Sequence, residues 1–353
     1  MDILKRLYEE QVAVVDVGVQ SRTFCLKRGV KQGDPISGLL FLAVVEVCFR
    51  KLREKWRSLN ARRTGQYYGF VLESAGDPLT NLRFADDVLL IAQSRADARK
   101  MTEHLATEAA KFGLKINADK TKILTTAAQT RASSVEVGSQ RIDIISPENS
   151  ERYLGRMLCL ADYHTAELRN RLKNAWAAFS KYRTVFHSTA YPFLAKAKLF
   201  EHCVTPVALY GSACWTLTKD MEHLLASTRR RMLRSMLCKH RRPDEDWIDF
   251  VRRATKESEA SAQSGGARDW VILCSERKRS FAGKTARCNI GKWSTRLLNW
   301  KPWFRTVPFR LVGRPHTRWD GCFEKLAGGN WTEHAQDEGT WMALASHFCS
   351  EYI

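Results

Sequence analysis

Two adjacent carboxylates, Asp86 and Asp87, are the side chains of this sequence best suited to chemistry. They interrupt a largely apolar stretch, residues 82–91, whose flanks are rich in leucine, valine and phenylalanine. Such flanks are typical of strands, so the pattern predicts a tight turn between two antiparallel strands. Neighbouring carboxylates repel each other, and a hard cation such as Mg²⁺ or Mn²⁺ relieves that repulsion. The alternative is an ordinary exposed turn, because aspartate favours turns.

A glycine turn and a capped helix precede the acidic pair. Asp34 is a good N-cap, and Pro35 suits the first helical position, where its missing N–H costs nothing. The residues that follow at helical spacing predict one inward-facing side, namely Ile36, Leu39, Leu40, Ala43, Val44 and Val47. A glycine turn before a helix exposes backbone N–H groups that favour phosphate or a nucleotide, although an ordinary capped helix has the same pattern.

Two further segments follow the acidic pair. Ser94 with Asp97 is similar to a capping box, which predicts a helix through about residue 112 that ends at Gly113. Residues 113–124 predict a strand, a turn and another strand, whose lysines face either a triphosphate or solvent. Residues 151–155 predict a short strand that ends in a turn.

In this order, the four segments resemble the palm of a reverse transcriptase of the kind that non-LTR retrotransposons encode. The resemblance is specific over residues 1–160 and looser beyond them. It implies a role for each matched residue: Asp86 and Asp87 as metal ligands, Gln32, Gly33, Phe84, Ala85 and Lys120 near nucleotide and template, and Tyr153, Leu154 and Gly155 as the primer grip.

The resemblance implies an α+β fold: a palm with an antiparallel sheet and packed helices, then a helical thumb and an α-rich C-terminal region. It also implies two-metal transfer of deoxynucleotides, with Mg²⁺ or Mn²⁺, to a DNA primer on an RNA template. That reaction needs another carboxylate on a strand ahead of the first helix. The acids before Gln32 do not fit such a strand: Asp2, Glu9, Glu10 and Asp16. We therefore expect a truncated palm without fingers, and no turnover by residues 1–353 alone.

The remaining chain predicts helices from Glu167, after Pro192, and from Lys219 to about Lys239. The third carries four arginines that either contact a nucleic-acid backbone or form a solvated face, Arg229, Arg230, Arg231 and Arg234. We expect three regions: a partial palm at 1–128, the primer grip and thumb at 129–240, and a basic, tryptophan-rich region at 241–353 with a flexible linker at 256–268. The tail tryptophans favour core packing over stacking on unpaired bases.

Charge and cysteine content indicate which partners and metal sites the sequence favours. The net charge is +19, and residues 129–353 hold 36 basic against 23 acidic side chains, which favours nucleic acid as a partner. A non-catalytic nucleic-acid-binding remnant of a retroelement is therefore an alternative function, and a decayed product without activity is another.

Ten cysteines without a Cys-x-x-Cys pair favour free thiols over a zinc ribbon. Without an apolar leader or membrane-length segment, we expect an intracellular protein and no membrane partner.

Overall fold

The computed structural model describes residues 2–9, 11–16, 18, 20, 22–26, 29–63, 67–72, 76–126, 133–289, 291–300 and 318–344. The chain divides into two compact units. The first contains residues 1–71, 75–121 and 135–142, and the second contains 72–74, 122–134 and 143–353. Helices and short strands occur together, in agreement with the expected mixed α and β class. The described residues after 240, expected as a region of their own, lie in the second unit.

The first unit is built around a long helix. Its elements are α1 (Asp2–Glu9), β1 (Val12–Ala13), β2 (Phe24–Cys25), α2 (Pro35–Asn60), β3 (Asn81–Phe84), β4 (Asp87–Leu90) and α3 (Arg95–Ala110). Asp34 caps α2 as predicted, since its Oδ1 accepts the N–H of Ile36 at 3.0 Å. Ser94 caps α3 in the same way, with the N–H of Asp97 at 3.1 Å. The core joins α2 to α3, with Phe49, Leu52, Trp56 and Met101 buried.

Between α3 and the helical part of the chain, the described residues form β5 (Lys122–Leu124), β6 (Ser134–Val137), β7 (Gln140–Ile145), β8 (Ser150–Tyr153) and β9 (Arg156–Cys159). The expected antiparallel pairing occurs between β3 and β4 and between β8 and β9, whereas β5 and β7 are parallel, with Ile123 opposite Ile144. β7 is the central strand of this three-stranded sheet and lies between β5 and β6. The chain forms β6 first and then β7, which runs in the same direction as β5.

The strand predicted just after Gly113 is absent, and only β5 forms within residues 113–124. Asn117 explains the difference, because its side-chain Oδ1 accepts the N–H of Lys120 at 3.2 Å. Its carbonyl also accepts the N–H of Thr121 at 3.0 Å. These local bonds close a turn where a strand would need the same groups for pairing.

The second unit is mainly helical. Its helices are α4 (Thr165–Lys181), α5 (Arg183–Phe186), α6 (Phe193–Cys203), α7 (Thr205–Ala208), α8 (Lys219–Leu237), α9 (Trp247–Ser264), α10 (Trp270–Ala286), α11 (Trp293–Asn299), α12 (Gly321–Ala327), α13 (Trp331–His334) and α14 (Glu338–Ala343), with a 3-10 turn at Ser212–Cys214. The three predicted helices correspond to α4, α6 and α8. Their apolar stripes meet in one core, in which Phe179, Phe200, Leu225 and Trp270 are buried.

The flexible linker expected at 256–268 is wrong, because α9 continues to Ser264. The serine and alanine content that suggested a linker serves close packing instead. Ala254, Ser258 and Ala262 recur every fourth residue and are buried. Small side chains at this spacing let a helix approach its neighbours closely. Asp246 starts α9 as an N-cap, with the N–H of Ile248 at 2.9 Å from Oδ2.

The predicted core role of the tail tryptophans is confirmed for Trp319, Trp331 and Trp341, whereas Trp293 and Trp300 are half-buried and lie outside their cluster. Trp331 and Trp341 are buried around Phe323, and Trp319 packs against the same cluster. Trp303 and the segment 312–317 lie outside the described residues. Within the described parts of the chain, none of the helices combines the length and apolarity that crossing a bilayer requires.

Candidate functional site

Asp86 and Asp87 lie on a tight hairpin turn, as the sequence predicts. Strands β3 and β4 are antiparallel, with Phe84 opposite Asp87, so Ala85 and Asp86 form a two-residue turn. Ala85 has φ +52°, a left-handed conformation that side chains other than glycine rarely adopt. Both carboxylates are exposed. We call β3, this turn and β4 the acidic hairpin.

The acidic hairpin is attached to the core of the first unit. Val88 and Leu90 of β4 pack on the buried residues of α2 and α3. Arg83 of β3 donates from Nη1 to Glu46 Oε2 of α2 at 2.9 Å. Its guanidinium also lies 4.8 Å from the ring centroid of Phe49. Sequence reasoning missed this ion pair, because a separation of 37 residues leaves no local signal.

The acidic pair fits a divalent cation in donor type and access. Carboxylate oxygens are the ligands that Mg²⁺ and Mn²⁺ prefer, and neither Asp86 nor Asp87 is in an ion pair with another described residue. Across the part of the chain that the structure describes, no group of three or more His, Cys, Asp or Glu side chains could hold a metal ion. The pair therefore offers at most two neighbouring carboxylates within the described part of the chain.

The other predicted nucleotide-side residues are exposed parts of the first unit. Gln32 and Gly33 form the turn before α2, where Gly33 has φ +89°. Phe84 stands beside the acidic turn and is 65% exposed. Lys120 lies in the turn closed by Asn117. Among the described residues, no hydrogen bond or ion pair joins Gln32, Gly33 or Lys120 to the two aspartates.

Tyr153, Leu154 and Gly155 also lie at a hairpin tip, in agreement with the predicted strand and turn. Strands β8 and β9 are antiparallel, with Tyr153 opposite Arg156. Leu154 has φ +48° and Gly155 has φ +74°. Two successive left-handed residues are typical of the tightest hairpin turn. We call β8, this turn and β9 the second hairpin.

The four arginines of α8 do not act alike. Arg229 is only 5% exposed, so the prediction that it contacts a nucleic-acid backbone is wrong. Its Nη2 donates to the carbonyl of Ala267 at 3.0 Å, and burial lowers the pKa of its guanidinium. The sequence contained a signal for the burial of Arg229. At helical spacing it falls on the same side of α8 as three apolar residues, and all four are buried: Leu225, Arg229, Met232 and Met236.

The other three arginines are more accessible. Arg230 is exposed, and its Nε donates to Glu259 at 3.0 Å. Arg231 lies with its guanidinium 5.5 Å from the ring centroid of Trp176. Arg234 is half-buried and donates to Thr255 Oγ1 at 3.0 Å, which makes it part of the α8–α9 packing. Arg230 and Arg231 are therefore the two exposed arginines of this set, and Arg230 already forms an ion pair with Glu259.

Comparison with known proteins gives matches over much of the chain. Residues 2–158 match the family described as reverse transcriptase (RNA-dependent DNA polymerase). A transposon-derived protein of Caenorhabditis elegans is 31% identical over 283 residues, which cover 76% of this chain and 96% of that protein. The Pol polyprotein of the type-2 retrotransposable element R2DM of Drosophila melanogaster is 32% identical over 146 residues, or 39% of this chain. The chain belongs to the reverse transcriptases of non-LTR retrotransposons.

The relatives of this chain differ greatly in length. The chain covers 12% of the R2DM polyprotein. It also matches the Pol polyprotein of the type-1 element R2 of Popillia japonica, with 26% identity over 232 residues, and covers 29% of that protein. Both hairpins fall wholly or largely within residues 2–158, the segment matched by the family.

Proposed function

We propose that this chain contributes to an RNA-directed DNA polymerase that extends a DNA primer on an RNA template from deoxynucleoside triphosphates. The observation that carries the proposal is the exposed pair Asp86–Asp87 on a two-residue hairpin turn within the segment matched by the reverse transcriptase family. The first unit then corresponds to part of a palm, and helices α4, α6 and α8 to a thumb.

In this proposal, Asp86 and Asp87 hold Mg²⁺ or Mn²⁺. The bound metal would stabilise the attacking primer oxygen and the leaving pyrophosphate. Phe84 and Ala85 shape the turn that carries the two aspartates. Gln32 and Gly33 face the incoming nucleotide and the template, and Lys120 neutralises part of the triphosphate charge.

The second hairpin supports the primer end in the same proposal. The backbone N–H groups of Leu154 and Gly155 donate to no described residue, which leaves them available to a phosphate. Backbone N–H groups often hold a phosphate in position without reading the base. Tyr153 is the last residue of β8 and directly precedes the turn.

Metal binding by the acidic pair can be measured directly. We expect the full chain to bind Mn²⁺ in an electron paramagnetic resonance titration, and expect Asp86→Asn and Asp87→Asn to lose that binding. Asp119→Asn is the matched control, because Asp119 is also an exposed acid in a turn of the first unit. Equal binding by Asp86→Asn and the parent chain would contradict the proposed metal role.

Primer extension tests the rest of the proposal. We expect no extension by residues 1–353 alone, because the described residues offer the two aspartates no third acidic partner. Extension should appear when a polypeptide that supplies a further acidic ligand is added, and should vanish in Asp86→Asn. Extension by the chain alone that disappears in Asp86→Asn would show that residues 1–353 already contain every ligand.

The charge distribution favours a second candidate function, a non-catalytic nucleic-acid-binding remnant of a retroelement. Residues 129–353 carry 36 basic and 23 acidic side chains, and Arg230 and Arg231 are exposed on α8. Binding through phosphates releases counterions and needs no metal. This candidate therefore depends on the arginines and is indifferent to Asp86.

Salt dependence separates the two candidates. We expect Arg230→Gln with Arg231→Gln to weaken binding to all sequences and to reduce the log–log salt slope by roughly 0.7 to 0.9 per lost phosphate contact. Arg99→Gln with Lys100→Gln is the matched control, because it removes two adjacent charges from an exposed part of α3. Metal-free binding that is unchanged in Asp86→Asn, together with no extension under any condition, would favour the remnant.

A further inference from the structure

Both carbonyls at the tip of the second hairpin accept hydrogen bonds from side chains that come later in the chain. Tyr210 donates from its hydroxyl to the carbonyl of Leu154 at 3.0 Å. Arg171 of α4 donates from Nη2 to the carbonyl of Gly155. The turn thus has its two acceptors engaged by protein, while its two N–H groups donate to no described residue.

Arg171 belongs to a buried network that also fixes the start of β9. Its Nε donates to Glu167 Oε1 at 2.6 Å, and Glu167 is fully buried. The other carboxylate oxygen of Glu167 accepts the backbone N–H of Met157 at 2.7 Å. One carboxylate therefore aligns the arginine and the strand whose turn that arginine contacts.

Tyr210 is held against the same arginine. The guanidinium of Arg171 lies 4.6 Å from the ring centroid of Tyr210, a cation–π distance. The ring is also close to the turn, since a Cβ on Gly155 would lie 3.5 Å from it. Tyr210 remains 48% exposed, so its contribution to the core is small and its hydroxyl bond to the turn is its main described polar contact.

An isolated two-stranded hairpin is only marginally stable in water. A tip that has to place a reacting group needs to be held within about 0.5 Å, which requires locked supporting side chains. We propose that Tyr210 and Arg171 are positioning residues that hold the tip of the second hairpin in the place where it supports the primer end. This inference rests on the proposed function, and it assigns the support of that site to Glu167, Arg171 and Tyr210.

Photo-crosslinking of the full chain tests the inference. The probe is a primer–template with 4-thiothymine at the primer 3′ end, and a second duplex carries the same base well upstream. Tyr210→Phe keeps the ring and removes the hydroxyl. Tyr191→Phe is the matched control, because Tyr191 is equally half-exposed in the same unit. Hydrogen exchange of the Met157 amide reports whether each variant keeps the fold of the hairpin.

We expect Tyr210→Phe to lower crosslinking of the primer end to residues 150–159 about five-fold, the factor that corresponds to one lost hydrogen bond. Total duplex binding and upstream crosslinking should stay at the parent level, which a merely structural defect would not allow. Arg171→Lys should act in the same direction, because lysine lacks the fork that reaches both Glu167 and Gly155. Tyr191→Phe should change neither crosslink.

Two results would overturn the inference, and they are distinguishable. If the parent chain crosslinks the primer end to residues 150–159 and Tyr210→Phe does so equally well, the positioning role is wrong while the proposed primer support stands. If the parent chain gives no crosslink between the primer end and residues 150–159, the proposed primer support itself is wrong, and the positioning role fails with it.

Discussion

The two hairpins of the molecule share a two-residue turn but differ in how the polar groups of that turn are satisfied. At the acidic hairpin, Asp86 and Asp87 are exposed and make no ion pair with another described residue. At the second hairpin, the carbonyls of Leu154 and Gly155 are bonded to Tyr210 and Arg171. A site for a small cation needs free donors, whereas a support for a polymer end needs a fixed backbone, and each hairpin suits one of these tasks.

Burial is what separates the acidic side chains of the two regions. Glu167 behind the second hairpin is fully buried and bonded to Arg171 and to the amide of Met157. A buried charge with its partners in place is part of the structure, because removing one partner leaves the other uncompensated. Exposed carboxylates such as Asp86 contribute little to stability and are free for a ligand.

The largest expected effect comes from breaking the buried pair. We expect Arg171→Met to lower the free energy of unfolding by about 3 kcal/mol, because buried Glu167 loses its hydrogen-bonded cation and keeps only Arg156, whose Nε lies 3.8 Å from Oε1. Asp86→Asn should change the same quantity by less than about 0.5 kcal/mol, as an exposed substitution. Urea unfolding followed by circular dichroism measures both. Similar losses in the two variants would remove the distinction between the hairpins.

A smaller loss of unfolding free energy is expected when the backbone of the second hairpin is strained. Gly155→Ala should cost about 1 to 2 kcal/mol, because alanine is strained at φ +74°. Gly138→Ala is the control, since Gly138 has φ +59° in another turn and a Cβ there would meet nothing within 4 Å. A larger loss at Gly155 than at Gly138, measured by urea unfolding, would show that the Tyr210 contact adds to the backbone strain.

The stability of the core on which the acidic hairpin packs should depend on pH. Trp56 donates from Nε1 to His104 Nδ1 at 3.1 Å, and burial lowers the pKa of His104 below its usual 6.5. Because the folded pKa lies below the unfolded one, protonation favours the unfolded state. The stabilisation is therefore complete above about pH 6.5 and declines as the pH falls through that value. Urea midpoints from pH 8 to pH 5 should show the decline, and His104→Gln should flatten it.

The smallest expected effect is at the acidic turn itself. Ala85 has φ +52°, so Ala85→Gly relieves backbone strain but adds freedom to the unfolded chain. We expect a net gain of roughly 0.5 kcal/mol in unfolding free energy, with Mn²⁺ binding by Asp86 and Asp87 unchanged. A loss of Mn²⁺ binding in Ala85→Gly would show that the strained turn, and not only the two carboxylates, forms the cation site.

Local patterns predicted much of the fold because they depend on neighbouring residues. Asp34 and Ser94 were recognisable as helix caps, since each bonds to an N–H two or three residues away. The acidic hairpin followed from apolar flanks on either side of two acids. The missing strand after Gly113 shows the limit of such patterns, because the side chain of Asn117 competes for the same backbone groups within three residues.

Composition misled where packing decided the outcome. A serine- and alanine-rich stretch suggested a linker at 256–268, yet Ser258 and Ala262 are buried in α9. Arginine content suggested one nucleic-acid surface on α8, yet Arg229 lies on its buried side. In both helices, the spacing of residues indicated which of them share one side. Which side became buried depended on the neighbouring helices that pack against it.

The sequence by itself determined which residues form turns, caps and helices, and which acids lie side by side, because those features involve bonds within a few residues. Only the tertiary structure decided which charges are buried and what holds each hairpin. Tyr210 and Leu154 are 56 residues apart, Arg229 and Ala267 are 38 apart, and Glu46 and Arg83 are 37 apart. No local propensity encodes such pairs, since they form only when packing of the apolar faces brings distant segments together.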